Sequence, residues 1–194
     1  MGTLHPNFIV GIGGSAGGLD AYTVLLDALP SNTGMAFVII SHILPTTAHS
    51  MLAELLTSHT KMPVIVVSDA MPIEADHIYV IPPDADLFIE GNTFKAVSPR
   101  TMNKQIDIFL ISLAAAMGAR AIGVIVSGYD GDGSEGCKQI KAKGGKTFAQ
   151  DTSAKVPGMP ESARASGSVD FVLPPDKIAA ELQRLASASI NKRS

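Results

Sequence analysis

The sequence contains no tryptophan, one cysteine, no long basic run and no apolar stretch long enough to cross a bilayer. A lone thiol, Cys137, excludes an internal disulfide, and without a CxxC pair there is no zinc or dithiol redox framework. Fifteen basic residues against eighteen acidic ones leave a formal charge of −3. That balance argues against nucleic acid or an anionic membrane as the main partner. The longest apolar runs, such as Ala121 to Val126, are strand-sized. Met1-Gly2-Thr3-Leu4-His5-Pro6 has no basic segment followed by an apolar one, and Pro6 stands where a myristoylation signal needs Ser or Thr. These absences predict a soluble, cytoplasmic protein with no membrane insertion.

What is present is a composition that can bury a core: 194 residues, 46% apolar and only 17% charged. The length predicts one domain over 1–194 with a core at about 7–185, and the small polar residues after Leu185 predict a frayed tail. Short apolar runs recur at Phe8–Ile12, Met35–Ile40, Pro63–Val67, Ala121–Val126 and Val169–Leu173. Runs of this kind suit parallel strands covered on both faces. Between them lie helical stripes: Leu19, Tyr22, Leu25, Leu26 and Leu29; Met51, Leu52, Leu55 and Leu56; Ile106, Phe109, Leu110, Leu113 and Met117. Alternating strands and helices predict an α/β fold, doubly wound around a mainly parallel sheet with helices on both faces. The segment from Ala70 to Val97 breaks the pattern, with His77–Ile81, Leu87–Ile89 and Thr93–Val97 around the turn Glu90-Gly91-Asn92. It predicts an antiparallel hairpin inserted in the sheet or at its edge.

Between the first strand and the first helix lies Gly11-Ile12-Gly13-Gly14-Ser15-Ala16-Gly17-Gly18. Three readings compete there. A tight turn needs glycine, but seldom so many. A dinucleotide fingerprint expects an acid at the end of the second strand, where this chain has Ile39-Ile40-Ser41-His42. A nucleophile elbow fits best, since Gly13-Gly14-Ser15-Ala16-Gly17 has the G-x-S-x-G form that exposes a serine hydroxyl at the sheet's C-terminal edge.

A serine needs a base. His42 ends the second strand as Ser15 follows the first, and adjacent strands lie roughly 4.8 Å apart. His5, His49, His59 and His77 lack that relation, and no metal-ligand spacing occurs, so no metal is expected. The orienting carboxylate is expected from the loop after Ala121–Val126, Ser127-Gly128-Tyr129-Asp130-Gly131-Asp132-Gly133, where Asp130 and Asp132 both compete. The order serine, histidine, acid differs from that of α/β-hydrolases, so the expected fold is not theirs.

Taken together, these motifs resemble the catalytic domain of CheB-type protein-glutamate methylesterases, from about Phe8 to Leu182. The likeness rests on Gly-Gly-Ser-Ala-Gly-Gly at 13–18, Ser41-His42 with Pro45, Gly128-Tyr129-Asp130-Gly131-Asp132-Gly133, and Gln150-Asp151 followed by Pro157-Gly158-Met159-Pro160. The stretches MLAELL, HIYVIPP and VDFVLPP are most similar to the form fused to a receptor methyltransferase.

The resemblance implies hydrolysis of glutamate γ-methyl esters on chemoreceptors, with deamidation of particular glutamines, and no cofactor. It implies Ser15 as nucleophile, His42 as base and Asp132, rather than Asp130, as orienting acid. The backbone N–H groups at Ala16 and Tyr129 would form the oxyanion hole. The implied partners are a methylated chemoreceptor as protein substrate and a receiver or methyltransferase domain. Two departures stand out. Gly14-Ser15-Ala16 replaces the more usual Ala-Ser-Thr, and Tyr129-Asp130 replaces Met-Gly or Thr-Gly. Asp130 adds negative charge near a developing oxyanion, which opposes its stabilisation. A catalytically impaired signalling module of the same fold is the alternative these departures raise.

Overall fold

A computed structural model describes residues 5–42 and 48–191. Pro45 and the side chain of His49 lie outside the described residues.

The central strands are β1 (Ile9–Gly14), β2 (Ala36–Ser41) and β7 (Ala121–Ile125), every residue of which is buried. With β3 (Val64–Val66), β4 (His77–Val80), β8 (Lys146–Gln150) and β9 (Phe171–Leu173) they form a seven-stranded sheet in the order β3-β4-β2-β1-β7-β8-β9. All its neighbouring strands are parallel.

Alternate residues of the strands supply two cores. Val10, Ile12, Phe37 and Ile39 face α1 (Gly18–Asp27), α2 (Ala48–Thr57) and α6 (Pro175–Asn191). Ile9, Val38 and Ile40 face α3 (Gln105–Met117), α4 (Ser134–Ala142) and α5 (Gly158–Ala165). On this second face β1 offers Gly11 and Gly13, and α3 lies directly upon them. A Cβ at Gly13 would come 2.5 Å from Ile106 Cγ2, and one at Gly11 would meet Leu110 at 2.6 Å. Two of the five glycines of the motif are therefore packing clearance for α3.

β1 is flanked by β2 on one side and β7 on the other, so the chain leaves it in opposite directions. Such a switch point opens a crevice at the strands' C-terminal ends, where the loops after β1, β2 and β7 meet.

Three expectations need correction, and one strand, β8, is not foreseen in the sequence. The hairpin, β5 (Asp86–Glu90) and β6 (Thr93–Val97), is a separate two-stranded sheet packed under α3, neither inserted in the main sheet nor at its edge. His77–Val80 is a parallel strand between β2 and β3, because three of its four residues are buried by covering layers. β8 carries too few apolar residues to read as a buried strand, yet Thr147 and Gln150 are buried through specific hydrogen bonds. The chain after Leu185 continues as helix to Asn191, with Ala186 buried against the core.

The ends of α3 and α4 hold each other. Neither helix has a capping side chain at its N-cap residue, Lys104 in one case and Gly133 (φ 96°) in the other. Their first N–H groups would be left without acceptors. Asp132, just before α4, accepts from the first turn of α3: Ile106 N–H to Oδ2 at 2.9 Å and Asp107 N–H to Oδ1 at 2.8 Å. Asp107, in that turn, accepts from the start of α4 through Oδ1: Gly133 N–H at 2.9 Å and Gly136 N–H at 2.8 Å. Each carboxylate also lies at the positive end of the other helix. Burial holds the Asp107 carboxyl above its ordinary range, and the charge of Asp132 adds to this. The N–H groups of Gly136 and Gly133 and the Lys104 ammonium pull the other way.

Gly13→Ala is expected to destabilise the fold by about 1–3 kcal/mol by driving α3 off the sheet. A lower urea midpoint at unchanged m-value would report it. A raised folded-state pKa at Asp107 means a stability contribution present at low pH and lost as pH rises through the folded value. Asp107→Asn keeps the Oδ1 acceptor and abolishes that titration. Its stability relative to wild type should rise as pH increases above about 4 in urea titrations, and a flat difference would contradict the sign.

Candidate active site

Ser15 follows β1 directly, and its position is fixed from below by backbone bonds. Ser15 N–H donates to Ser127 O at 2.9 Å, Val126 N–H to Gly13 O at 2.9 Å, and His42 N–H to Gly14 O at 3.2 Å. The loops after β1, β2 and β7 are thus joined at their roots. A Cβ on Gly128 would stand 3.0 Å from Ser15 Cβ, so only glycine lets the 127–133 loop lie against the serine.

His42 and Asp132 meet across this crevice. His42 Nε2 lies 2.7 Å from Asp132 Oδ2. The Asp132 side chain is fully buried and that of His42 is 11% exposed. Asp132 therefore serves two neighbours at once, taking backbone N–H groups of α3 and the ring nitrogen of His42. Asp130 is placed differently. Its Oδ1 accepts the Asp132 N–H at 3.0 Å, and its Oδ2 lies 3.5 Å from His42 Nδ1. Among the described residues, Ser15 Oγ has no hydrogen bond to His42, and the N–H groups of Ala16 and Tyr129 have no acceptor within the protein.

Sequence reasoning assigned no role to two residues that hold this arrangement. Ser127 donates its hydroxyl to Ala16 O at 2.7 Å and accepts the Val156 N–H at 2.9 Å. Gln150, at the end of β8, accepts the Ser127 N–H at 3.0 Å. The Gln150-Asp151 and Pro157–Pro160 motifs thereby acquire a purpose, because Met159 N–H also donates to Gly128 O at 2.8 Å. The available signal was the Gln150-Asp151 motif; the burial of Gln150 shows only in the fold.

The crevice opens into a cleft of about 300 Å³ lined by Ser15, Leu19, Tyr22, Ser41, Met51 and Leu55. Burial pushes the Tyr22 hydroxyl well above its ordinary range, with the Ser41 hydroxyl opposing part of the effect, so it forms a neutral wall. A larger cavity of about 580 Å³ lies where α1 and α2 end, beside the His59–Asp27 pair, away from the serine loop. Burial, with the charges of Asp107 and Asp170, pushes the Cys137 thiol up to about 12, so the one cysteine is not a competing nucleophile. His77 bonds to Ala75 O at 2.8 Å, a local structural contact. Among the described residues no cluster of three or more His, Cys, Asp or Glu could hold a metal, and no helix is long and apolar enough to cross a membrane.

Comparison with known proteins agrees with this geometry. A family model described as CheB methylesterase matches residues 10–182. A Leptospira interrogans protein, provisionally named a protein-glutamate methylesterase/protein-glutamine glutaminase, is 32% identical over 187 residues, covering 94% of this chain and 96% of that one. A Burkholderia orbicola protein-glutamate methylesterase/protein-glutamine glutaminase is 36% identical over 187 residues, covering 90% of this chain but 52% of its own length. This chain therefore spans about half of that relative. The crystal structure of the Thermotoga maritima CheB methylesterase catalytic domain superposes with a TM-score of 0.85 at 28% identity, over 92% of this chain and 98% of that one. With the sheet order, the serine loop and the histidine–aspartate contact on one crevice, these matches show that the chain belongs to the CheB methylesterase family.

Proposed function

We propose that this protein is a cofactor-free serine hydrolase that removes methyl groups from glutamate γ-methyl esters of chemoreceptors and deamidates glutamine. The observation that carries the reading is the 2.7 Å contact between His42 Nε2 and Asp132 Oδ2, which joins residues 90 positions apart beside an elbow serine. We take the domain's core to span about residues 7–185, with α6 carrying it on to Asn191. A cytoplasmic location and a receiver or methyltransferase domain as partner belong to the same proposal.

Asp132 occupies Nε2, so the ring nitrogen left to work is Nδ1. His42 Nδ1 takes the Ser15 proton as Oγ bonds to the ester carbonyl carbon. The carbonyl oxygen becomes an oxyanion and accepts from the Ala16 and Tyr129 N–H groups, both free of internal acceptors among the described residues. The C–O bond to methoxide breaks as Nδ1 returns the proton, and methanol leaves. Water then gives a proton to Nδ1 as its oxygen bonds to the acyl carbon, and the C–Oγ bond breaks as Nδ1 returns that proton to Ser15 Oγ, releasing the glutamate side chain as an acid that ionises to its carboxylate. A serine–histidine contact of this type commonly tightens only when substrate is bound. Asp132 orients the ring and stabilises its charged form during both steps.

The test is methanol release from a methyl-esterified chemoreceptor fragment. Ser15→Ala and His42→Ala should each lower turnover by ~10³-fold or more, and Asp132→Ala by a smaller factor. Asp132→Ala should also cost about 1 kcal/mol of stability, because α3 loses its cap. Turnover that survives Ser15→Ala would refute the assignment. No product from folded wild type would favour a binding module instead.

A further inference from the structure

His42 is approached by two carboxylates, one on each ring nitrogen. The fully buried Asp132 takes Nε2, whereas Asp130, with a side chain 39% exposed, points Oδ2 toward Nδ1 at 3.5 Å. Asp130 is not free to swing away, since its Oδ1 holds the Asp132 N–H at 3.0 Å. One oxygen therefore anchors the turn and the other faces the working side of the imidazole.

If Ser15 attacks and His42 moves the proton, as proposed above, the nitrogen that takes the proton from Ser15 must return it to the leaving group. That nitrogen is Nδ1. The leaving atom must then come within hydrogen-bond reach of Nδ1, which brings it beside Asp130 Oδ2. The two leaving groups differ in what they offer there. The nitrogen of a glutamine side chain carries N–H donors, whereas the methoxy oxygen of the ester carries only lone pairs. A carboxylate accepts an N–H in a charge-assisted bond and repels an oxygen lone pair.

We propose that Asp130 is a specificity-determining residue that favours glutamine amides over glutamate methyl esters at the Ser15 site. In the tetrahedral intermediate the amide nitrogen directs one N–H to Asp130 Oδ2 and its lone pair to the proton on Nδ1. The C–N bond then breaks, the nitrogen takes that proton, and ammonia leaves. For the ester the same position sets oxygen against oxygen, and Asp130 slows departure of methanol.

The experiment compares two versions of one receptor-helix peptide, carrying glutamine or glutamate γ-methyl ester at the same position. Ammonia and methanol release give kcat/KM for each with wild type, Asp130→Asn and Asp130→Gly. Asp130→Asn retains an Oδ1 acceptor for the Asp132 N–H and puts an NH₂ donor where Oδ2 was. The amide-to-ester ratio should fall about tenfold or more in Asp130→Asn, and less in Asp130→Gly. A loss of folded enzyme acts on both reactions and cancels in the ratio, and the pH profile of each reaction reports any change in His42 itself. An unchanged or increased ratio in active variants would overturn the role of Asp130 and leave the hydrolase reading intact. Absence of both products from folded wild type would overturn the hydrolase reading and this inference with it.

Discussion

The exchange of carboxylates between α3 and α4 is the constraint on which the site depends. Asp132 alone cannot be rigid, because it stands in a loop of glycines. It becomes rigid by accepting two N–H groups of α3, while Asp107 closes the circuit on α4. Both helices lie on the same face of the sheet, and α3 reaches its position only because β1 presents Gly11 and Gly13 to it. The orientation of one imidazole thus rests on the absence of two side chains in a strand. Packing clearance, helix capping and ring placement form a single connected arrangement.

That arrangement explains why the glycine-rich loop invited several readings. The glycines resolve into separate duties: clearance under α3 at 11 and 13, and room for the Tyr22 ring and hydroxyl at 14 and 18. Phosphate recognition is not needed to account for them. A motif read as one signal was several steric requirements lying next to each other.

Much of the fold was legible because the central strands are buried on both faces and so are uniformly apolar. Met35–Ile40 and Ala121–Val126 are of this kind, and their ends located His42 and the aspartate loop. β8 was illegible because Thr147 and Gln150 are satisfied by Ser168, Asp170 and Ser127, partners that only the fold brings near. The parallel pairing of His77–Val80 was hidden for a similar reason, since a short strand starting with histidine looks like a hairpin arm until its neighbours are known. The tail looked frayed because its residues are small, yet Ala186 finds a place in the core. Within the site, the proximity of His42 to the 127–133 loop followed from strand ends. The importance of Asp107 did not, because its partners are backbone groups of a helix that begins 27 residues later.

The parallel order of the sheet also bears on how the site assembles. Ser15 and His42 follow the first two strands, whereas Asp132 follows β7, which lies beyond the hairpin and α3 in the chain. Contacts across such separations carry a loop-closure cost that local structure does not. Without the β1–β7 pairing, Ser15 and His42 stand without the carboxylate that holds the ring. Long-range topology thus ties assembly of the histidine–aspartate contact to completion of the sheet.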